Sequence, residues 1–341
     1  MIRVGVVGLG MMGQTHLASF AGRPDARVVA VADRNADKRR GANRPAGNIP
    51  GQPGGGVDLS SVKQYADPGR LIDDPEIELV DICLPTPAHL ECAMRAMAAG
   101  THVLIEKPLA RTYEDALRLA EAAEQAPGQV MVAMCMRFWP GWDWLKSTVE
   151  RQTYGKALSA SFARLAQHPG GKFYGDGEAS GGALLDFHLH DADFVRYCFG
   201  EPTAVFSTAH THLTGAPDHV VTQYLYPDGP VVSAEGGWSM APGYGFSMRY
   251  TVNFEHATAD FELGRTPALR VTHGGQEPRA LDLPGWMGYD AEIGYFIDCI
   301  TTGSPPQRVT VADAAESIRL IEAEGRSIAA GVPVELAAAG R

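Results

Sequence analysis

The sequence predicts an α/β protein: an N-terminal doubly wound parallel sheet followed by an α+β domain on a mostly antiparallel open sheet. Three observations carry this reading. Short apolar runs alternate with helical stretches as far as Ala133. A Gly-rich turn separates the first run from the first helix. Beyond Leu158, runs with period-two alternation follow one another across short turns. Strand–helix alternation implies right-handed crossovers and parallel pairing, whereas strands joined by short turns pair antiparallel.

Taken in order, Ile2–Val7, Arg27–Ala32, Leu79–Leu84, Val103–Ile105 and Val130–Ala133 are short and largely apolar, and they read as strands buried on both faces. Ala88–Ala99 is helical and is stopped by Gly100. Thr112–Gln125 starts with a capping Thr and the acids Glu114 and Asp115 in its first turn. Gly41–Val57, rich in Gly and Pro, reads as an inserted surface loop. In the second half Leu158–Leu165, Ala204–His210, Val220–Tyr226, Val231–Ala234, Met248–Phe254 and Ala268–Thr272 read as strands. Pro227-Asp228-Gly229 is a turn between two of them. Helices at Tyr289–Thr301 and Ala312–Ala330 close the chain, the second ended by Gly331 with Pro333 beyond.

The length of 341 residues suits two domains at about 150 residues each. We place a dinucleotide-binding domain at 1–127, with the closing helix 311–331 able to pack back on it. A substrate-binding and oligomerisation domain follows at 128–310. Hydrophobic residues make up 45% and charged residues 20%, which excludes a disordered chain. The net charge of −11 argues against nucleic acid or an anionic membrane as partner. The five cysteines are odd in number and include no C-x-x-C pair, so they read as buried thiols in a reducing compartment. With neither a signal-peptide pattern nor a run of about 18 apolar residues, the expected location is cytoplasmic.

Gly8-Leu9-Gly10-Met11-Met12-Gly13 follows the first strand and opens a helix, and Asp33 stands twenty residues after Gly13 at the end of the second strand. That order fits a Rossmann-type dinucleotide site. Gly8 permits the tight turn, Gly10 lets backbone approach a pyrophosphate, and Gly13 lets helix and strand pack closely. The helix N-terminus offers free N–H groups to phosphate. Asp33 would accept hydrogen bonds from ribose hydroxyls and favours NAD, since its carboxylate repels a 2′-phosphate; Arg34 beside it keeps NADP as the alternative.

Two further segments carry chemistry. The fourth predicted strand ends in Glu106-Lys107-Pro108, at the edge where a doubly wound sheet binds its ligand. A cis Pro108 would fix the direction of Lys107. In Gly181-Gly182-Ala183-Leu184-Leu185-Asp186-Phe187-His188-Leu189-His190-Asp191-Ala192-Asp193 the pattern is helical, and Asp186 and His190 share one face. A carboxylate beside an imidazole orients it and raises its basicity. The bland alternatives are a surface lysine and a solvated i,i+4 pair. His188, His190, Asp191 and Asp193 could be imagined around a metal. However, His188 and His190 point different ways on a helix, and no metal is expected.

Together these segments resemble the glucose–fructose oxidoreductase / inositol dehydrogenase (Gfo/Idh/MocA) family over nearly the whole chain. The resemblance rests on the Gly-rich turn, Asp33, Cys83-Leu84-Pro85-Thr86-Pro87-Ala88-His89, Glu106-Lys107-Pro108-Leu109, the G-G-x-x-x-D-x-x-x-H-x-x-D segment and the closing Gly331-Val332-Pro333-Val334. It implies Lys107, Asp186 and His190 as catalytic residues. Cofactor contacts are expected from Gly8, Gly10, Met11, Met12, Gly13, Asp33, Arg34, Leu84, Pro85, Thr86, His89, Glu106, Lys107 and Arg137, the last with a structural ion pair as its alternative. Substrate contacts are expected from Lys107, Arg164, His168, Asp186, His190 and Trp238, although a core role competes for the tryptophan. Members often carry Gly where this chain has His188, a departure that bears on substrate rather than on hydride chemistry.

The resemblance implies an NAD(P)-dependent oxidoreductase acting on a secondary hydroxyl of a sugar, inositol or sugar acid, in a homodimer or homotetramer. His190 would accept the hydroxyl proton, Asp186 would support it, and Lys107 would stabilise the developing alkoxide or relay the proton. The competing reading is an NAD-retaining glycosidase or lyase that oxidises a sugar carbon transiently. A third is a nucleotide-sensing protein without turnover.

Overall fold

The computed structural model describes residues 1–41 and 58–336. The expected loop 41–57 therefore lies outside the described residues, apart from Gly41. The chain divides into two compact units, one of residues 1–138 and 287–316 and the other of 139–286 and 317–341.

The first unit is built on six parallel strands: β1 (Ile2–Val7), β2 (Ala26–Ala32), β3 (Lys63–Tyr65), β4 (Leu79–Ile82), β5 (His102–Glu106) and β6 (Val130–Ala133). Their order is β3-β2-β1-β4-β5-β6, the doubly wound arrangement, with the order reversing between β1 and β4. Residues of β4 and β6 are buried throughout, as expected for strands covered on both faces. The helices are α1 (Met11–Ala21), α2 (Ala36–Arg39), α3 (Pro68–Ile72), α4 (His89–Ala98) and α5 (Tyr113–Gln125). Thr112 caps α5, its side chain accepting from the Asp115 N–H at 3.2 Å. Sequence reading omits β3, whose three residues are half or fully exposed and present no apolar run. The strand ending at Glu106 is accordingly the fifth, not the fourth.

The second unit opens with α6 (Pro140–Glu150), then β7 (Ala157–Gln167), the short α7 (Lys172–Gly175) and α8 (Gly177–Ser180), and α9 (Leu189–Phe199). The strands β8 (Ala204–His210), β9 (His219–Leu225), β10 (Val231–Met240), β11 (Phe246–Phe254), β12 (Ala257–Glu262), β13 (Leu269–His273), β14 (Arg279–Leu281) and β15 (Val334–Glu335) complete it. The nine-stranded sheet runs β14-β13-β12-β11-β7-β10-β9-β8-β15. Every neighbouring pair is antiparallel except β7 and β10, which lie parallel. Along β11, buried and exposed residues alternate from Met248 to Phe254, so one face is covered and the other open. On the covered face Trp142 packs edge-on against Tyr250 and Phe261, at 5.1 and 4.7 Å between ring centroids. Gly141 makes room for this, since a Cβ there would lie 2.6 Å from the Phe261 ring.

Two helices close the chain. α10 (Gly288–Thr302) counts with the first unit, and α11 (Val311–Ala330) begins in the first unit and ends in the second.

Candidate active site

In the first unit the Gly-rich turn joins β1 to α1. Gly8 has φ +92°, and a Cβ there would meet the Cys83 carbonyl oxygen at 2.5 Å; at Gly13 a Cβ would meet the Gly8 oxygen at 1.9 Å. Both positions exclude a side chain for the reasons the spacing implies. Gly10 differs: nothing lies within 4 Å of a Cβ built there, so its backbone borders open space. Gly10 also caps α1 without any side-chain bond, and no acidic residue stands in the first turn. The Met11, Met12 and Gly13 end of the helix thus offers N–H groups and positive dipole to an anion. Asp33 ties this turn to β2. Its Oδ2 accepts from Leu9 N–H at 2.9 Å and its Oδ1 from Asn35 N–H at 2.8 Å. Lys38 Nζ lies 3.7 Å from Oδ2. Arg34 is exposed. The open backbone at Gly10, the uncapped helix and the placed acid together fit a dinucleotide.

Across the sheet reversal, Leu84 and Pro85 follow β4, with Thr86 buried and His89 buried at the start of α4. The two His89 ring nitrogens lie 2.8 Å from the Pro108 oxygen and 2.7 Å from the Leu84 oxygen. Burial pushes this imidazole below its ordinary pKa, against the pull of the carbonyls. His89 therefore spaces the loops after β4 and β5. Lys107 follows β5, half-buried, and the Lys107–Pro108 bond is cis.

Beneath these loops lies a charged cluster that sequence reading missed. His16 of α1 is fully buried, with Nδ1 2.9 Å from Asp81 and Nε2 3.1 Å from Glu106. Burial disfavours the imidazolium, but Asp81 and Cys83 outweigh it and raise the pKa well above the usual value. Glu292 of α10 is also fully buried, and neither of its carboxyl oxygens has a hydrogen-bond partner. Its burial, with Glu106 and Asp81 nearby, pushes its pKa far up despite His16. Among the described residues, His16, Asp81 and Cys83 form the one group of three metal-type side chains with ligand atoms within 4.8 Å of one another. The short His16–Asp81 contact is that of a hydrogen-bonded ion pair. One signal was legible: Asp81 is a charge inside an otherwise apolar strand, which requires a partner.

Arg137 is buried, ion-paired with Asp313 and bonded to the Arg308 carbonyl at 3.0 Å. That is the ion-pair alternative, within the first unit.

In the second unit the segment after Gly182 is not uniformly α-helical. Leu184–His188 form a wider π turn, followed by α9. Such turns occur often at functional sites. The segment's titratable side chains divide in two. His188, Asp191 and Asp193 are buried and each has its own partner. His188 Nε2 lies 3.1 Å from Glu324, Asp191 takes two bonds from Arg164 at 2.8 and 3.2 Å, and Asp193 accepts from Ser317 Oγ at 2.7 Å. Asp186 and His190 are instead partly exposed.

The remaining expected substrate residues are engaged as follows. Arg164, 3% exposed, is held by Asp191. His168 accepts from the Gly170 N–H at 3.0 Å and donates to the Tyr174 oxygen at 3.2 Å. Trp238 is buried, stacks edge-on with His168 at 5.5 Å, and donates to Asp218 at 2.9 Å. Burial would raise the Asp218 carboxyl, but Trp238, Thr214 and the N–H groups of His212 and Leu213 draw it down to about 2.

Fold and turn chemistry define an oxidoreductase with an NAD-binding Rossmann unit. The model of the oxidoreductase family with NAD-binding Rossmann fold, GFO_IDH_MocA, matches residues 2–134, and the GFO/IDH/MocA C-terminal domain model matches 142–260. The chain belongs to the Gfo/Idh/MocA family. It is 31% identical over 200 residues to the myo-inositol 2-dehydrogenase of Thermotoga maritima, spanning 59% of this chain and 55% of that enzyme. It is 29% identical over 350 residues to inositol 2-dehydrogenase 2 of Saccharopolyspora erythraea, spanning 98% and 96%. Among solved structures, a levoglucosan dehydrogenase in complex with NADH superposes with TM-score 0.85 at 24% identity, covering 98% of this chain and 99% of that one.

Proposed function

We propose that this protein transfers a hydride between NAD and a secondary hydroxyl of a sugar, inositol or sugar acid. The observation that carries the reading is the division of the 181–193 segment, which buries His188, Asp191 and Asp193 and leaves Asp186 and His190 partly exposed. Relatives named for inositol oxidation support the substrate class.

Gly8, Gly10 and the N-terminus of α1 hold the pyrophosphate, and Asp33 holds the adenosine ribose. Bound NAD supplies the hydride acceptor. His190 takes the hydroxyl proton, because a free alcohol is too weak an acid to lose it unaided. Asp186 orients the imidazole, and Lys107 stabilises the developing alkoxide. We further assign a homodimer or homotetramer, which light scattering tests. We assign a cytoplasmic location, which the five buried cysteines outside any disulfide support.

The test is a panel of inositols, sugars, anhydrosugars and sugar acids with NAD and with NADP, read by absorbance at the reduced-nicotinamide band and by product mass. Net reduction of NAD with loss of two hydrogens from the substrate is expected. Altered substrate mass without net absorbance change would overturn it in favour of transient oxidation. Lys107→Ala and His190→Ala should each lower kcat by about 10²- to 10⁴-fold; wild-type rates in both would remove these residues from the mechanism.

A further inference from the structure

We infer that His188, held by Glu324, is a positioning residue for Asp186 and His190, and that the pair sets the alkaline limit of the reaction. The inference rests on the proposed roles of Asp186 and His190. His188 ends the π turn and is the N-cap residue of α9, with Asp186 two residues before it and His190 two residues after. A single π turn is a rare departure from α geometry, found frequently at functional sites, and here its last side chain is anchored.

The anchor is specific. His188 is fully buried, and its Nε2 lies 3.1 Å from Glu324 of α11. Glu324 also accepts from the Tyr224 hydroxyl at 2.9 Å and the Thr222 hydroxyl at 3.1 Å, both from β9. The carboxylate is thus held by two hydroxyls before it meets the imidazole. The other ring nitrogen, Nδ1, has no hydrogen-bond partner and faces Gly236 of β10, where a Cβ would come within 2.6 Å. The ring is wedged against a strand backbone and tied through Nε2 alone, to Glu324 and, at 3.4 Å, to the Tyr224 hydroxyl. Loss of the Glu324 contact leaves a buried carboxylate without its cation and the turn without its peg. Displacing a reacting group by about 1 Å costs up to about 100-fold in rate.

The charged surroundings fix the sign. Burial disfavours the His188 imidazolium, Glu324 and Asp191 favour it, and Arg164 opposes it; the balance raises its pKa. Arg164 and Asp191 are bonded to each other, and the nearby His219 and Glu235 form their own pair at 3.0 Å. The intact pair therefore favours the protonated His188, and rising pH weakens the pair by removing that proton.

The experiment uses the full-length protein with NAD and the substrate returned by the panel, comparing wild type, Glu324→Gln, His188→Gln and His190→Ala across about pH 5 to 10. Melting temperature is followed for each. In the wild type kcat should fall on the alkaline side with one ionisation. Glu324→Gln should move that fall to lower pH by about one unit or more, with KM for NAD unchanged. His188→Gln keeps an N–H donor without a titration, so the alkaline fall should disappear while kcat stays within about tenfold. Ring-nitrogen NMR, which needs no substrate, should show one histidine signal that is absent in His188→Gln and titrates above the usual range. In Glu324→Gln that signal should titrate lower. An alkaline limb unmoved in both variants, or a His188 signal insensitive to Glu324, overturns the inference. His190→Ala at wild-type rate overturns the catalytic reading instead, whereas an inactive His190→Ala beside an unaltered Glu324→Gln profile overturns only the role of His188.

Discussion

Gly236 and His188 share one side chain's worth of space: a Cβ on the glycine would lie 2.6 Å from Nδ1 and 2.8 Å from Cβ of the histidine. The bulk at position 188 is therefore accommodated by its absence on β10. Gly236→Ala should destabilise the protein by about 1–3 kcal/mol, because the ring is fully buried and held by Glu324 and so has little room to yield. In His188→Ala the same Gly236→Ala change should cost much less. A denaturation double-mutant cycle measures the coupling, and equal costs in both backgrounds would show that the two positions do not compete.

Asp33 binds the Gly-rich turn, and the proposed reading has it also take the ribose. Its Oδ2 accepts from Leu9 N–H, so replacing it loosens the turn proposed to hold the pyrophosphate. Asp33→Ala should raise KM for NAD by about 10- to 100-fold, the loss of a charged hydrogen bond, and change kcat less. It should also narrow the preference for NAD over NADP, since the carboxylate that repels a 2′-phosphate is gone and Arg34 remains. Initial-rate kinetics with both cofactors decide this, and an unchanged KM ratio would remove Asp33 from cofactor selection.

What the sequence made legible was local. Period two and apolar runs placed Ile2–Val7 and Ala204–His210 at their observed bounds, because each strand's burial is written along its own residues. The Gly-rich turn was legible because its demands are steric and fall on three positions within one loop. Three kinds of feature were not. The edge strand β3 has no buried side chains to mark it. Sequence reading omits the helix α6 altogether, although proline in its first turn is compatible with a helix. Five residues of pattern at 184–188 cannot separate a π from an α period. The polar anchors are long-range as well: His16 meets Asp81, Glu106 and the neighbourhood of Glu292, and His188 meets Glu324, across separations that no local window spans. The residues proposed for chemistry were thus visible as motifs, while the distant partners of their neighbours, such as Glu324, were not.

Glu292 makes stability depend on pH in a direction opposite to most carboxylates. Buried without a hydrogen-bond partner, it keeps its proton in the folded state far above the pH at which the unfolded chain releases it. Between those two values the folded state binds the extra proton, so stability falls as pH rises, by about 1.4 kcal/mol per pH unit for one group. The contribution is fully present only below the unfolded value, near the ordinary glutamic acid range. Glu292→Gln keeps the shape and removes the titration. Its melting temperature should be close to wild type at about pH 4 and should exceed it increasingly from about pH 5 upward. His16 partly offsets the effect in the wild type, because its raised pKa places a positive charge near the carboxyl. In His16→Gln the advantage of Glu292→Gln at neutral pH should therefore grow. Melting curves of the four proteins across that pH range test the argument, and a pH-independent difference between wild type and Glu292→Gln would mean that Glu292 is not protonated in the fold.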